Sequence, residues 1–91
     1  MMKTLEQVKE YLCDNGHENA IVLENPDFCQ AFIGTTPDGQ AVYDFDKMVE
    51  SLCQEDGMED EEAIEFIEYN TIRALPYMGP MAPVIMHPVH D

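Results

Sequence analysis

The segment 56–78, DGMEDEEAIEFIEYNTIRALPYM, constrains this fold more than any other, because it joins the longest helical periodicity in the chain to a dense acidic run. At about 100° per residue, Ala63, Ile64, Ile67, Thr71, Ala74 and Leu75 fall on one stripe and Glu61, Glu62, Glu65 and Glu68 on the other side. That is the pattern of a helix with one buried face. Asp60, Glu61 and Glu62 place negative charge in its first turn, where free N–H groups and the helix dipole favour anions. Pro76 lacks an N–H and is expected to stop it. Phe66, Tyr69 and Ile72 lie on or beside the acidic face, away from the core stripe, and so predict a second contact surface.

A chain of 91 residues is expected to form a single small domain, 1–91. A domain of that size buries only about 60–65% of its unfolded surface, so a partner chain would add to its stability. With 19 acidic residues against 4 basic ones, the net charge of −15 opposes direct binding to nucleic acid or to an anionic membrane. A charged partner should therefore be a basic protein. The 45% hydrophobic content is too high for a disordered acidic tail. The first nine residues have no apolar central region and no 18 apolar residues run together, so a cytoplasmic location is expected. Cys13, Cys29 and Cys53 have no CxxC spacing and predict buried reduced thiols, neither a disulfide framework nor a zinc site.

Along the chain, Thr4 and Gln7 form a capping-box pattern, and Leu5, Val8, Tyr11 and Leu12 recur at helical spacing until Gly16, which predicts a first helix over 4–15. The aliphatic run 20–23, bounded by Asn25-Pro26-Asp27, reads as a strand. A second strand is expected over 28–35, and the turn Thr36-Pro37-Asp38-Gly39 returns the chain through a third over 40–43. Asp44 can cap a further helix, with Tyr43 stapled on Met48, an apolar stripe of Met48, Val49, Leu52 and Cys53, and Gly57 as terminator. The tail holds prolines 76, 80, 83 and 88, which forbid a helix, while residues 83–86 are apolar enough to lie along the sheet as an edge strand. The expected fold is therefore α+β: a helix, a three-stranded antiparallel meander, two further helices and a C-terminal extended segment. Leu5, Val8, Leu12, Ile21, Leu23, Ile33, Val42, Val49, Leu52, Ile64, Ile67 and Leu75 are its candidate core.

No constellation in the sequence requires a reaction. His87, His90 and Asp91 could supply metal ligands, but a first-row site needs three or four fixed donors and these sit in a proline-bearing terminus. Asp44-Phe45-Asp46 opens like a calcium loop, yet Val49 stands where the glycine is needed. The crowded carboxylates face water and read as solvated charge instead of acid–base pairs. Neither a Cys–His nucleophile signature nor a glycine-rich phosphate loop occurs. The chain is expected not to be an enzyme and to take no cofactor and no metal.

The region 43–86, above all DKMVESL, DGMEDEEAIEFIEYNTIRALPYMG and APVIM, resembles a group of small uncharacterised acidic proteins of gut Firmicutes and their prophages. The resemblance spans about half the chain. It brings no established activity, so no catalytic residue is carried over. Where that group has a threonine before the acidic run, this chain has Glu59, which predicts a weaker helix cap. A prophage setting implies small acidic inhibitors of host or defence proteins.

Between 44 and 68 stand 11 of the 19 acidic residues and one basic residue, Lys47, so the acidity is concentrated on one face. Two functional readings follow. In one, the chain is a small protein-interaction module that self-associates as a homodimer through Phe66, Tyr69 and Ile72, with Glu61, Glu62, Glu65 and Glu68 around them. In the other, it is a DNA mimic whose carboxylates occupy the basic groove of a nuclease, a repressor or, as an anti-CRISPR, a CRISPR effector.

Overall fold

A computed structural model describes residues 4–24 and 26–89. It shows an α+β fold of three α-helices and a three-stranded mixed sheet. The first helix, α1, is Leu5–Asp14. Both halves of its capping box form: the Gln7 N–H donates to the Thr4 hydroxyl and the Thr4 N–H to the Gln7 side-chain carbonyl, each at 3.2 Å.

The run 20–23 is not a strand, which corrects the first element of the expected meander. Its amide groups are used singly. The Ile21 N–H donates to the Met81 carbonyl at 3.4 Å, and the Leu23 N–H to the hydroxyl of Tyr43 at 3.1 Å. The Ala20 N–H donates back to the His17 carbonyl at 3.0 Å, and four residues whose bonds go to three unrelated partners cannot build a ladder. The second expected strand is also shorter than its pattern. Phe28 takes a left-handed conformation at φ 49°, the Cys29 N–H donates to the Asp27 carboxylate at 3.2 Å, and Cys29–Ala31 form one 3-10 turn. The turn chemistry of Pro26 and Asp27 thus extends into residues whose side chains favour a strand.

Strand β1, Phe32–Thr35, and strand β2, Ala41–Asp44, form the expected antiparallel hairpin. Its turn is closed by the Gly39 N–H on the Thr36 carbonyl at 2.9 Å. Gly39 sits at φ +93°, and a Cβ there would lie 2.9 Å from Nδ1 of His17, so both backbone and space demand glycine. The register runs Phe32 with Tyr43 and then Gly34 with Val42, leaving Ile33 as the extra residue of a bulge. That places Ile33 outside, 44% exposed, against the expectation of burial.

Helix α2, Phe45–Asp56, is capped by the Asp44 side chain, which accepts from the Lys47 N–H, and ends at Gly57 with φ 69°. Asp44 therefore has a structural partner in place of the calcium-loop role. Helix α3, Asp60–Asn70, starts at Glu59 without a side-chain cap, as the residue type there predicts. It ends earlier than expected. The 3-10 segment Ile72–Tyr77 follows it and carries Pro76 inside, so Pro76 is not what stops α3. The bonds at the two ends of this segment, from the Ala74 N–H to the Thr71 carbonyl at 3.1 Å and from the Met78 N–H to the Leu75 carbonyl at 3.0 Å, take no donor from Pro76.

Strand β3, Val84–Met86, docks as an edge strand, with Val42 opposite Val84 and Asp44 opposite Met86. It runs parallel to β2, and the sheet order is β1-β2-β3. The expected three-stranded antiparallel meander is thus corrected: its β1–β2 hairpin forms, and the third strand is the tail, docked at the edge as expected but parallel. A parallel neighbour requires a long crossover, which α2 and α3 supply.

Tyr43, Met48, Leu52 and Ile67 are fully buried or nearly so and, with Leu23, Phe28, Ala31, Ala41, Phe45 and Ala63, make the main core. Val8, Leu12 and Cys29 form a smaller cluster under α1. Phe32 joins the two, edge-on to Tyr11 at 5.9 Å and to Tyr43 at 5.8 Å between centroids. Of the expected core, Val8, Leu12, Leu23, Leu52 and Ile67 are buried, while Leu5, Ile21, Val42, Val49 and Leu75 are half-buried. Ile64 is at the surface, 36% exposed, although the wheel sets it on the core stripe.

Candidate partner-binding face

Helix α3 presents opposite faces because Ala63 and Ile67 are fixed in the core. Residues about half a turn away must then point to water. Glu61, Glu62, Glu65 and Glu68 are exposed there, as is Tyr69 at 64%. Glu59, Glu61, Glu62, Glu65, Phe66, Tyr69 and Asn70 border a shallow hollow of about 640 Å³.

The three apolar side chains do not act alike. Phe66 is half-buried and packs against the main core, and so does Ile72, which lies in the 3-10 segment beyond α3. Only Tyr69 stands clear. The guanidinium of Arg73 lies 4.9 Å from its ring centroid, a cation–π contact that contributes about 0.5–1 kcal/mol at an exposed site and holds the ring in place. In the last turn of α3 the Asn70 side-chain amide donates to the Phe66 carbonyl at 3.0 Å. The predicted partner face is thus an acidic surface around one aromatic ring, with Phe66 at its edge and Ile72 turned to the core. The wheel had placed Ile72 by helical spacing, which stops at Thr71.

All three cysteines are free thiols, but of them Cys29 alone is buried, with Cys53 half-buried and Cys13 exposed on α1, which corrects the expectation that all three are buried. Burial, reinforced by the hydrogen bond and charge of Asp27, pushes the Cys29 thiol up to about 12, which removes it from nucleophilic use near neutral pH. Among the described residues no three or more His, Cys, Asp or Glu side chains gather as metal ligands. The His87 ring instead stacks on Phe45 at 4.4 Å, and the other two members of the metal reading, His90 and Asp91, lie outside the described residues. Among the described residues no helix is long and apolar enough to cross a membrane. No family model matches the chain, and no curated protein or solved structure does.

Proposed function

We propose that this chain is a non-enzymatic, cytoplasmic protein-interaction module whose outer α3 face engages a basic partner protein. The observation that carries this reading is the position of Tyr69, exposed and oriented by Arg73, within the carboxylates of Glu61, Glu62, Glu65 and Glu68. Aromatic anchors surrounded by charge are a common plan for protein interfaces. The structure gives less support to self-association across the same face. With Phe66 and Ile72 drawn toward the core, a second copy would gain one exposed ring and bring two sets of carboxylates together.

The density of charge favours one class of basic partner. Glu61 to Glu68 span about 10.5 Å of helix axis at about 1.5 Å per residue, so their four carboxylates are spaced about 3.5 Å apart on average. A DNA strand carries a charge about every 3.4 Å. A nucleic-acid-binding groove, as in a nuclease, repressor or CRISPR effector, matches that spacing, and the resemblance to prophage proteins agrees with such a target.

The test is affinity capture from the native host at about 0.05 and 0.5 M salt, where screening differs strongly. The bait is the native chain beside a form with Glu61, Glu62, Glu65 and Glu68 all changed to Gln. A partner held by the native chain only at low salt, and lost by the Gln form, supports the reading. A partner held equally by both chains at both salts contradicts it.

A further inference from the structure

A second surface opens between α2 and α3. Phe45, Val49, Cys53 and Ile64 line an open groove of about 440 Å³, with Glu50 and Asp60 on its sides. Val49 and Cys53 pack partly on the main core, while Ile64 projects far enough to stay 36% exposed. The Cys53 thiol donates to the Asp60 carboxylate at 3.2 Å, which fixes that carboxylate at the groove edge. The same hydrogen bond, followed by burial and the charge of Asp60, pushes the thiol upward, so the floor stays neutral. Apolar floor and anionic sides are therefore separate features of one groove. Ile64 and Tyr69 stand about 140° apart around α3, which makes this a different surface from the outer face.

We propose that the groove takes an amphipathic basic segment of a partner protein. An aliphatic side chain of that segment seats between Val49, Cys53 and Ile64, and its Lys or Arg side chains meet Glu50 and Asp60. Charge decides the occupant. A second copy of this chain brings a net charge of −15 and only 4 basic residues, so it would set carboxylates against carboxylates. A basic helix supplies both the apolar stripe and the missing cations, the complementarity used when amphipathic helices lie in grooves. This inference rests on the reading of the chain as an acidic interaction module and adds a second point of contact to it.

The probe is a Lys/Leu peptide of about five helical turns with its leucines on one face, beside a peptide of identical composition with the leucines scattered. Binding is read by fluorescence anisotropy and mapped by NMR shift changes on the full chain. The amphipathic peptide is expected to bind at least roughly tenfold tighter than the scattered one, with shift changes centred on Val49, Cys53 and Ile64. Ile64→Glu and Glu50→Lys should each weaken it roughly tenfold or more, and Tyr69→Asp less than about twofold. Circular dichroism shows that each variant is folded. Equal binding of the two peptides, no binding, or shifts confined to the outer α3 face would overturn the groove. Groove failure leaves the outer face intact as a reading, because that face stands or falls on capture by the Glu-to-Gln form.

Discussion

Replacing Tyr43 by Phe isolates one hydrogen bond that holds a long irregular segment to the sheet. Tyr43 is fully buried, and its hydroxyl accepts from the Leu23 N–H at 3.1 Å. The substitution keeps the ring, its cross-strand partner Phe32 and the edge-on contact at 5.8 Å, so the apolar contribution stays almost constant. What changes is the buried Leu23 N–H, which loses its acceptor. An orphaned buried donor costs about 1–3 kcal/mol. At about 4–8 °C per kcal/mol for a domain of this size, the melting temperature should fall by at least about 4 °C. Urea titration followed by circular dichroism measures the stability, and amide exchange at Leu23 locates the effect, with faster exchange at Leu23 and Val22 than in β2. A Tyr43→Phe protein of native stability and native exchange at Leu23 would refute the tether.

Other consequences are more local. Ile67→Ala removes a fully buried side chain between α3 and the core and should cost about 2–5 kcal/mol in a urea titration. Alkaline pH should destabilise the chain, because burial pushes both Cys29 and Tyr43 up to about 12, from 9.0 and 10.0 respectively. A raised folded-state pKa gives stability that is complete below the unfolded value and lost as pH rises toward the folded one. Melting temperature should therefore hold to about pH 9 and decline from there toward pH 12. Tyr43→Phe should remove part of the decline, and a flat profile across that window would contradict the burial of both groups.

Much of the fold is legible from local chemistry. Thr4 with Gln7, Asp44 before α2, and Thr36 to Gly39 each specify their structure within four residues, and each forms as its pattern predicts. The failures arise where a choice depends on distant groups. Residues 20–23 have a strand's composition, but their amides go singly to His17, Met81 and Tyr43, and the sheet's third strand comes from the tail, whose parallel sense beside β2 no local pattern reveals. Ile33 fits its period and is displaced by a bulge, while Ile64 fits the helical stripe but α3 turns Ala63 and Ile67 inward and leaves it at the surface. The large buried residues Phe28, Tyr43 and Phe45 stand in a turn, at a strand end and in the first turn of a helix, where periodicity gives them little weight.

The candidate face was legible in part for the same reason. Glu61, Glu62, Glu65, Glu68 and Tyr69 lie within α3, so one helical wheel sets all of them outward. Ile72 lies past Thr71, where the helix tightens, and Phe66 at the edge can reach the core. Neither the cation–π contact from Arg73 nor the groove beside Ile64 has a sequence signal, since both depend on how consecutive elements meet.

Light scattering of the purified chain tests most directly whether the acidic α3 face serves a foreign basic partner or a second copy. The account predicts a mass of 10.4 kDa at both about 0.05 and 0.5 M salt, for the native chain and for Tyr69→Asp alike. A species of twice that mass, strengthened by salt and abolished by Tyr69→Asp, would show that copies of the chain join through this face and would contradict it.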